Sequence, residues 1–366
     1  MHIFAVNMNT IFQLLEIASG RSTVLSSPLT NEQWQAVYVY AKKQSALGII
    51  WQGIERLSKQ QLPPPQLIKQ WYATVCMIEK RNRHLDAVAD KLRQKFLAKG
   101  WNSKVLKGQS LCRYYPNPLR RSPGDIDLWL WPADSGKDES LSTRRDSIVR
   151  MIRRIYPKGH ICYHHMDFMK CAGVDVEIHF TPSWMNNPLH NRRLQQYFAA
   201  YMRTEAPSTD EETAFNLMFL LLHLYRHFCQ EGVSLKQLID YAMVMKASTP
   251  VSRERAKQLI RHIGLLRFCS AMMLVMHRYF DIDESLFICP PSSKEGNYII
   301  KGITAQLTGK TSVTINDFTD RKDHIGNFAS RIRSAVTLAT HYPSEALWEI
   351  PWRIWHFSWR IHKGYL

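Results

Sequence analysis

Two aspartates open the run Asp125-Ile126-Asp127-Leu128-Trp129-Leu130-Trp131, which alternates polar and apolar residues at its start. In a strand, positions i and i+2 share a face, so both carboxylates project the same way. Two like charges side by side are costly unless a cation shares them. A second alternating run, Val174-Asp175-Val176-Glu177-Ile178-His179, repeats the device. Oxygen donors with open positions suit Mg²⁺, which binds through a few carboxylates together with substrate phosphates. Asp125 and Asp127 are therefore candidate metal ligands and catalytic residues, and either Asp175 or Glu177 could add a third carboxylate. Upstream, Lys107-Gly108-Gln109-Ser110 follows a short strand candidate, Lys104-Val105-Leu106, and opens a short helix. Backbone amides at such a turn hold phosphate, so Gly108 and Ser110 are candidate nucleotide-binding residues. Arg120 and Arg121, just before the aspartates, have the fork geometry to clamp phosphate. They also fit a loop arginine paired to a carboxylate.

Other groups carry weaker signals. His223 and His227 lie one helical turn apart and share a face, but without the glutamate of an HExxH pattern they do not form a zinc pair. They fit polar packing near Asp240 or a place on the acceptor side of a site. His164, His165 and His179 are weaker candidates; a regular strand would turn the adjacent His164 and His165 to opposite faces.

These side chains need a small sheet, and the patterning supplies one. Strand candidates at 104–106, 125–131, 161–170 and 174–180 surround a helix at 143–155 capped by Ser142, and Ala172-Gly173 makes a hairpin turn. Helical periodicity flanks this block on both sides. Thr30-Asn31-Glu32-Gln33 caps one helix, and a long amphipathic helix spans 66–99 with Gly100 as its C-terminal cap. Further helices run from Thr209 to Phe228, from Ser234 to Lys246, and as one or two segments within 252–279, whereas 281–325 reads as irregular. The fold class expected is α+β, with a mixed sheet between helical regions. The divisions are 1–100 helical, 101–185 the α/β core and 186–366 helical.

Composition sets the outer limits. The chain has 366 residues, 45% hydrophobic and 22% charged, which excludes a disordered or collagen-like chain. Forty-eight basic against 31 acidic residues give a net charge of +17, spread along the chain, which favours polyanionic partners. Seven scattered cysteines without a CxxC pair fit buried thiols in a reducing compartment. No apolar run reaches the roughly 20 residues of a membrane span, and no basic leader precedes Glu16, so a cytoplasmic location is expected. The tail carries Trp348, Trp352, Trp355 and Trp359 at helical spacing beside Arg353, Arg360 and Lys363. Such a helix can lie on a membrane interface; docking on its own body is the expectation taken here.

The constellation resembles the nucleotidyltransferase superfamily, in the branch that includes DNA polymerase beta and antibiotic nucleotidyltransferases. Within it the chain is similar to a large bacterial group of uncharacterised nucleotidyltransferases. The shared features are Leu106-Lys107-Gly108, Gly124-Asp125-Ile126-Asp127-Leu128 and Val176-Glu177-Ile178-His179. Downstream they continue in His223 with His227, Glu231-Gly232-Val233-Ser234-Leu235-Lys236-Gln237, and Asp240, so that the likeness covers 80–245. Gln109 separates the two small residues that usually adjoin in the turn. The resemblance implies a nucleotidyltransferase core in which Asp125 and Asp127 coordinate two Mg²⁺ ions around a nucleoside triphosphate, ATP among the candidates. Glu177, or Asp175 in its place, would complete the nucleophile side, while Lys107, Gly108, Ser110 and Arg121 would contact phosphate. The acceptor, an RNA end, a protein or a small molecule, stays open, as does a catalytically inactive nucleotide- or RNA-binding role on the same fold.

Overall fold

A computed structural model describes residues 8–133, 140–230, 232–308 and 338–365. Helices α1 (Met8–Ala18), α2 (Asn31–Lys43) and α3 (Leu47–Ile54) precede the long α4 (Pro65–Leu97), and β1 (Trp101–Val105) follows. Then come β2 (Ile126–Pro132), α5 (Leu141–Arg153), β3 (His165–Cys171) and β4 (Val174–His179). The rest is helical: α6 (Pro188–Met202), α7 (Thr209–Gln230), α8 (Leu235–Lys246), α9 (Pro250–His262), α10 (Leu266–Phe280), α11 (Ser293–Leu307) and α12 (Pro343–His362). The architecture is thus α+β, with a small mixed sheet flanked by helices.

The sheet order is β1-β2-β4-β3. β1 pairs antiparallel with β2, β2 parallel with β4, and β4 antiparallel with β3. A parallel pair needs a crossover, and α5 with β3 supplies it. The β3–β4 hairpin turns at Ala172 and Gly173, both left-handed (φ 50° and 77°), the conformation a tight hairpin demands.

Strict alternation divides the sheet between two cores. Ile126, Leu128 and Leu130 of β2 join Val176 and Ile178 of β4 on one face, covered by Ile148, Val149 and Ile152 of α5. The C-terminal half of α4 (Leu85, Val88, Leu92, Phe96) closes that core. On the opposite face Trp129 is fully buried among Phe198 of α6, Phe215 of α7 and Tyr201, within the larger helical core. Helix α4 belongs to both cores, since Leu67, Trp71 and Val75 of its first half pack into the larger one. Between its halves the buried Asn82 donates from Nδ2 to the carbonyls of Leu119 (2.6 Å) and Arg121 (2.7 Å), tying down the loop that leads to Asp125. Gly48 of α3 serves the same loop from the other side: a Cβ there would stand 2.1 Å from the Arg120 carbonyl oxygen.

Several local readings shift. The cap of α5 is Ser140, whose side chain accepts from the Thr143 amide, two residues before Ser142, and Leu141, the first helical residue, packs against the sheet core. Within 281–325, expected to be irregular, residues 293–307 form α11, where Ile299, Ile300 and Ile303 recur at helical spacing and are buried. Residues 309–325 lie outside the described residues, as do most of the polar linker after β2 and Glu231 of the downstream motif. The capping boxes among the described residues are Thr30 with Gln33, at the cap the sequence suggests, Ser234 with Gln237, and Thr249 with Ser252.

The tail helix α12 continues through Pro351. Its Trp352 stacks on Trp184 at 5.3 Å, and Trp359 covers the Arg145 guanidinium at 4.7 Å, so one face docks on the body. Ile354, Trp355, Phe357 and Ile361 remain exposed. No helix among the described residues is long and apolar enough to cross a membrane.

Candidate functional site

The parallel register pairs Asp127 with Glu177, so adjacent strands present these carboxylates side by side. Asp125 stands one residue before β2 on the same face. Carboxylate oxygens of Asp125, Asp127 and Glu177 all lie within 4.8 Å of one another. Asp127 is only 1% exposed, whereas the Glu177 side chain is 30% exposed and faces the opening. Asp175, two residues back along β4, is displaced from the group and pairs with Lys170 at 3.0 Å, its side chain 66% exposed. Of the two acids that β4 offers, the fold gathers Glu177.

Two basic groups converge on Asp127. Lys107 Nζ lies 3.1 Å from its Oδ1, and His179 Nε2 donates to the same oxygen at 2.9 Å. His179 also reaches Glu177 Oε2 at 3.3 Å, bridging the two strands. Burial alone would push the Asp127 carboxyl up, but Lys107 and His179 outweigh it and hold it far below the ordinary range. His179 shows the mirror image. Burial would lower the imidazole, yet its hydrogen bonds to Asp127 and Glu177 raise it above its usual value. Burial works against the Lys107 charge as well, but Asp127, Asp125 and Glu177 raise it. At Asp125 burial and then the neighbouring Asp127 charge outweigh the pull of Lys107 and push the carboxyl up. Burial likewise opposes the Glu177 charge, and the His179 hydrogen bond with nearby His165 brings it down.

The turn that carries Lys107 is conformationally specialised. Lys107 has φ 21°, unusual for a residue with a side chain, and Gly108 follows at φ 54°. The 3₁₀ segment Gly108–Tyr114 starts there. Both the amide and the hydroxyl of Ser110 donate to the Lys107 carbonyl, at 3.1 and 2.8 Å, so Ser110 shapes the turn that aims Lys107 inward.

Arg121 departs from the phosphate-clamp expectation. Its guanidinium is buried and donates from Nε and Nη2 to the two carboxylate oxygens of Asp240 at 2.8 and 2.7 Å. Tyr115 donates to the same carboxylate at 2.6 Å. The fork suited to phosphate is spent on a protein carboxylate. Arg120 pairs with Glu55 and with Glu79 at 3.1 Å, the loop-arginine alternative. His223 meets His227 edge-on at 4.3 Å and contacts Gln237 at 3.2 Å, and burial, then the Lys107 charge, hold its imidazole well below the usual value.

Three basic residues matter more than the sequence reading allowed. His179 was legible as the i+2 neighbour of Glu177, because the same alternation that pairs Asp175 with Glu177 carries on to it. Lys236 of α8 is held down to about 8, by burial first and then by the Arg121 charge; Asp125, Asp240 and Lys107 also act on it. A side chain at Gly124 would meet its Nζ at 3.6 Å. His165 is likewise drawn in. The expectation that His164 and His165 face apart fails, because β3 begins only at His165 and the preceding residues form a tight turn. His164 Nε2 lies 2.9 Å from His165 Nδ1.

All three carboxylates offer hard oxygen donors at mutual distances that one or two divalent cations can span, which fits Mg²⁺ chemistry. A family model described as an uncharacterised nucleotidyltransferase matches residues 30–281. No curated protein and no solved structure matches the chain. The matched span takes in all three carboxylates, the Lys107 turn and helices on both sides of the sheet.

Proposed function

Since the chain belongs to the family of uncharacterised nucleotidyltransferases, we propose that Asp125, Asp127 and Glu177 form the active site of a metal-dependent nucleotidyl transfer from a nucleoside triphosphate to a hydroxyl acceptor. The observation that carries this reading is the gathering of three carboxylates from two neighbouring parallel strands within 4.8 Å. A binding role alone gives no reason to concentrate three acids against the self-repulsion that raises Asp125. Asp125 and Asp127 would hold the cations shared with the triphosphate, and Glu177 would complete the acceptor side. Two Mg²⁺ ions bound there would neutralise the triphosphate and favour the ionised acceptor hydroxyl.

In the reaction the acceptor oxygen attacks the α-phosphorus in line, and the bond to pyrophosphate breaks. His179 keeps the Asp127 and Glu177 carboxylates in register through its shared Nε2. Lys107, set on Asp127, would lend its charge to the triphosphate, and Gly108 would open the phosphate cradle, since both donors of Ser110 are held by the Lys107 carbonyl. Lys236 adds positive charge on the Gly124 side. Arg121 acts at a distance, as the buried anchor of the loop that delivers Asp125.

The test is calorimetric titration of Mg²⁺ with non-hydrolysable α,β-analogues of the four nucleoside triphosphates, on wild type and on Asp125→Asn/Asp127→Asn. The expected result is metal-dependent binding that the double variant loses, followed by transfer of α-phosphate label from the preferred nucleotide to an acceptor. A second reading draws on one observation: Lys107 and His179 already supply Asp127 with positive charge from the protein itself. On that reading the chain is an inactive nucleotide- or RNA-binding protein. Binding that persists in chelator and survives Asp127→Asn would establish it in place of the first.

A further inference from the structure

Beside the carboxylates, on the far side of Glu177, stands a group of different chemistry. Ile161 and Met166 form an antiparallel bridge, and the Cys162 amide donates to the His165 carbonyl at 3.0 Å. Residues 162–165 are thus a closed tight turn. It brings Cys162 Sγ to 3.3 Å from Nε2 and 3.6 Å from Nδ1 of His165, and His164 Nε2 to 2.9 Å from His165 Nδ1. Ligand atoms of Cys162, His164 and His165 all lie within 4.8 Å of one another.

From this geometry we propose that Cys162, His164 and His165 form a second metal site, separate in chemistry from the carboxylates and selective for Zn²⁺. A tetrahedral zinc with Zn–N of about 2.0 Å and Zn–S of about 2.3 Å sets its ligand atoms about 3.3–3.6 Å apart. With one ligand atom from each residue, the 3.6 Å from Cys162 Sγ to His165 Nδ1 matches an N–S edge of that tetrahedron, and the 2.9 Å from His165 Nδ1 to His164 Nε2 lies a little inside an N–N edge. One thiol and two imidazoles are the donors that zinc prefers and Mg²⁺ refuses. Nδ1 of His164 is buried with no hydrogen-bond partner among the described residues, and the ring's other nitrogen, Nε2, is the one that faces His165. Trp184 packs over the same ring at 4.2 Å and holds it in the turn.

Three protein ligands leave a fourth position open to water or to a substrate group. The site would fasten the turn to the end of β4, where the Phe180 amide already donates to the His164 carbonyl at 2.7 Å. His165 Nδ1 is 3.6 Å from Glu177 Oε2, so the ion would place fixed positive charge next to the carboxylate group. Zinc uptake here does not depend on nucleotidyl transfer at Asp125 and Asp127.

The experiment uses the full chain, stripped with chelator, shown to be folded by circular dichroism, and then titrated with Zn²⁺ and with Co²⁺ as a spectroscopic substitute. The expected result is one equivalent of zinc retained through gel filtration and, with cobalt, a thiolate-to-metal charge-transfer band. Cys162→Ser should abolish the band and weaken zinc at least about tenfold, as should His164→Gln for affinity. Cys171→Ser, a thiol on β3 outside the group, should change neither. Folded protein that takes up no zinc overturns the proposal. So does uptake that is unchanged in Cys162→Ser, or that is lost in Asp127→Asn instead, which would place the ion among the carboxylates. Failure of nucleotide binding with zinc uptake intact would strike the transferase reading alone.

Discussion

Asp127 and Asp240 are both buried carboxylates held by cationic side chains, and they do opposite work. Asp240 has its charge met by one matched partner. Arg121 covers both oxygens and Tyr115 adds a third bond. Asp127 is over-subscribed on one oxygen, taken by Lys107 and His179 together, and under-compensated overall, with Asp125 and Glu177 adding negative charge. A planar fork against a carboxylate is a closed geometry with little left to offer a ligand. A flexible ammonium and a shared imidazole against three acids is an open one, and a multivalent cation would compete for it. Buried charge alone therefore does not identify a functional site; unequal partnering does.

The largest way to break this contrast is Asp240→Ala. It strands Arg121 in the interior and should cost about 3–5 kcal/mol in urea unfolding, while the folded fraction still binds Mg²⁺ as wild type does. Asp127→Asn should do the reverse. Metal-dependent nucleotide binding, followed by calorimetry, should weaken more than about 100-fold, beyond the range that outer partners of metal ligands command. Its urea midpoint should fall less than that of Asp240→Ala, because the charge lost opposite Lys107 and His179 is offset in part by relief of repulsion on Asp125. An intermediate effect is expected from Arg121→Lys, which keeps the charge and loses the fork: about 2 kcal/mol of stability, with the nucleotide affinity of the folded protein retained. A large loss of nucleotide affinity with stability intact would return Arg121 to the phosphate.

The pH dependence sharpens the same comparison. His179 has its folded pKa raised, so its contribution is complete below the unfolded value of about 6.5 and is lost as pH rises through the folded value. Asp127 has its folded pKa depressed; its contribution is present above about pH 4 and is lost on acidification through the folded value. His165 runs against His179: burial, then the His179 charge, bring it down to about 4, so acidification from neutrality costs stability. Urea melts between about pH 6 and pH 9 should show a component of wild-type stability lost toward the alkaline end, set against the opposite contributions of His165 and Lys236. His179→Gln should lack that loss, and an unchanged slope in the variant would contradict the bridging role. The smallest effect belongs to Asp175→Asn, which should leave stability within about 0.5 kcal/mol and nucleotide binding unaltered, as suits a solvated pair with Lys170.

Much of this was readable from local pattern. Alternation in 125–131 and 174–179 put the acids on one face of each strand, and the left-handed pair Ala172-Gly173 sat where the hairpin turns. The choice of Glu177 over Asp175 was not readable, because it rests on the register of β2 against β4, a contact between segments about fifty residues apart. Nor was Arg121. A phosphate-shaped fork looks the same in sequence whether its partner is a ligand or the buried Asp240 on α8. His164 and His165 misled for a local reason: the alternation rule holds only inside a strand, and their turn ends where β3 begins.

The neighbouring placement of β2 and β4 has a kinetic consequence. Chain segments before α5 hold Asp125 and Asp127, those after it hold Glu177 and His179, and only the closed crossover makes them adjacent. Such non-local pairing is among the slower steps of folding, since the entropy of loop closure is spent before any contact repays it. A refolding chain would thus regain helix first and acquire its capacity for divalent cations with the last sheet pairing. Recovery of that capacity after dilution from urea is accordingly a clock for completion of the sheet.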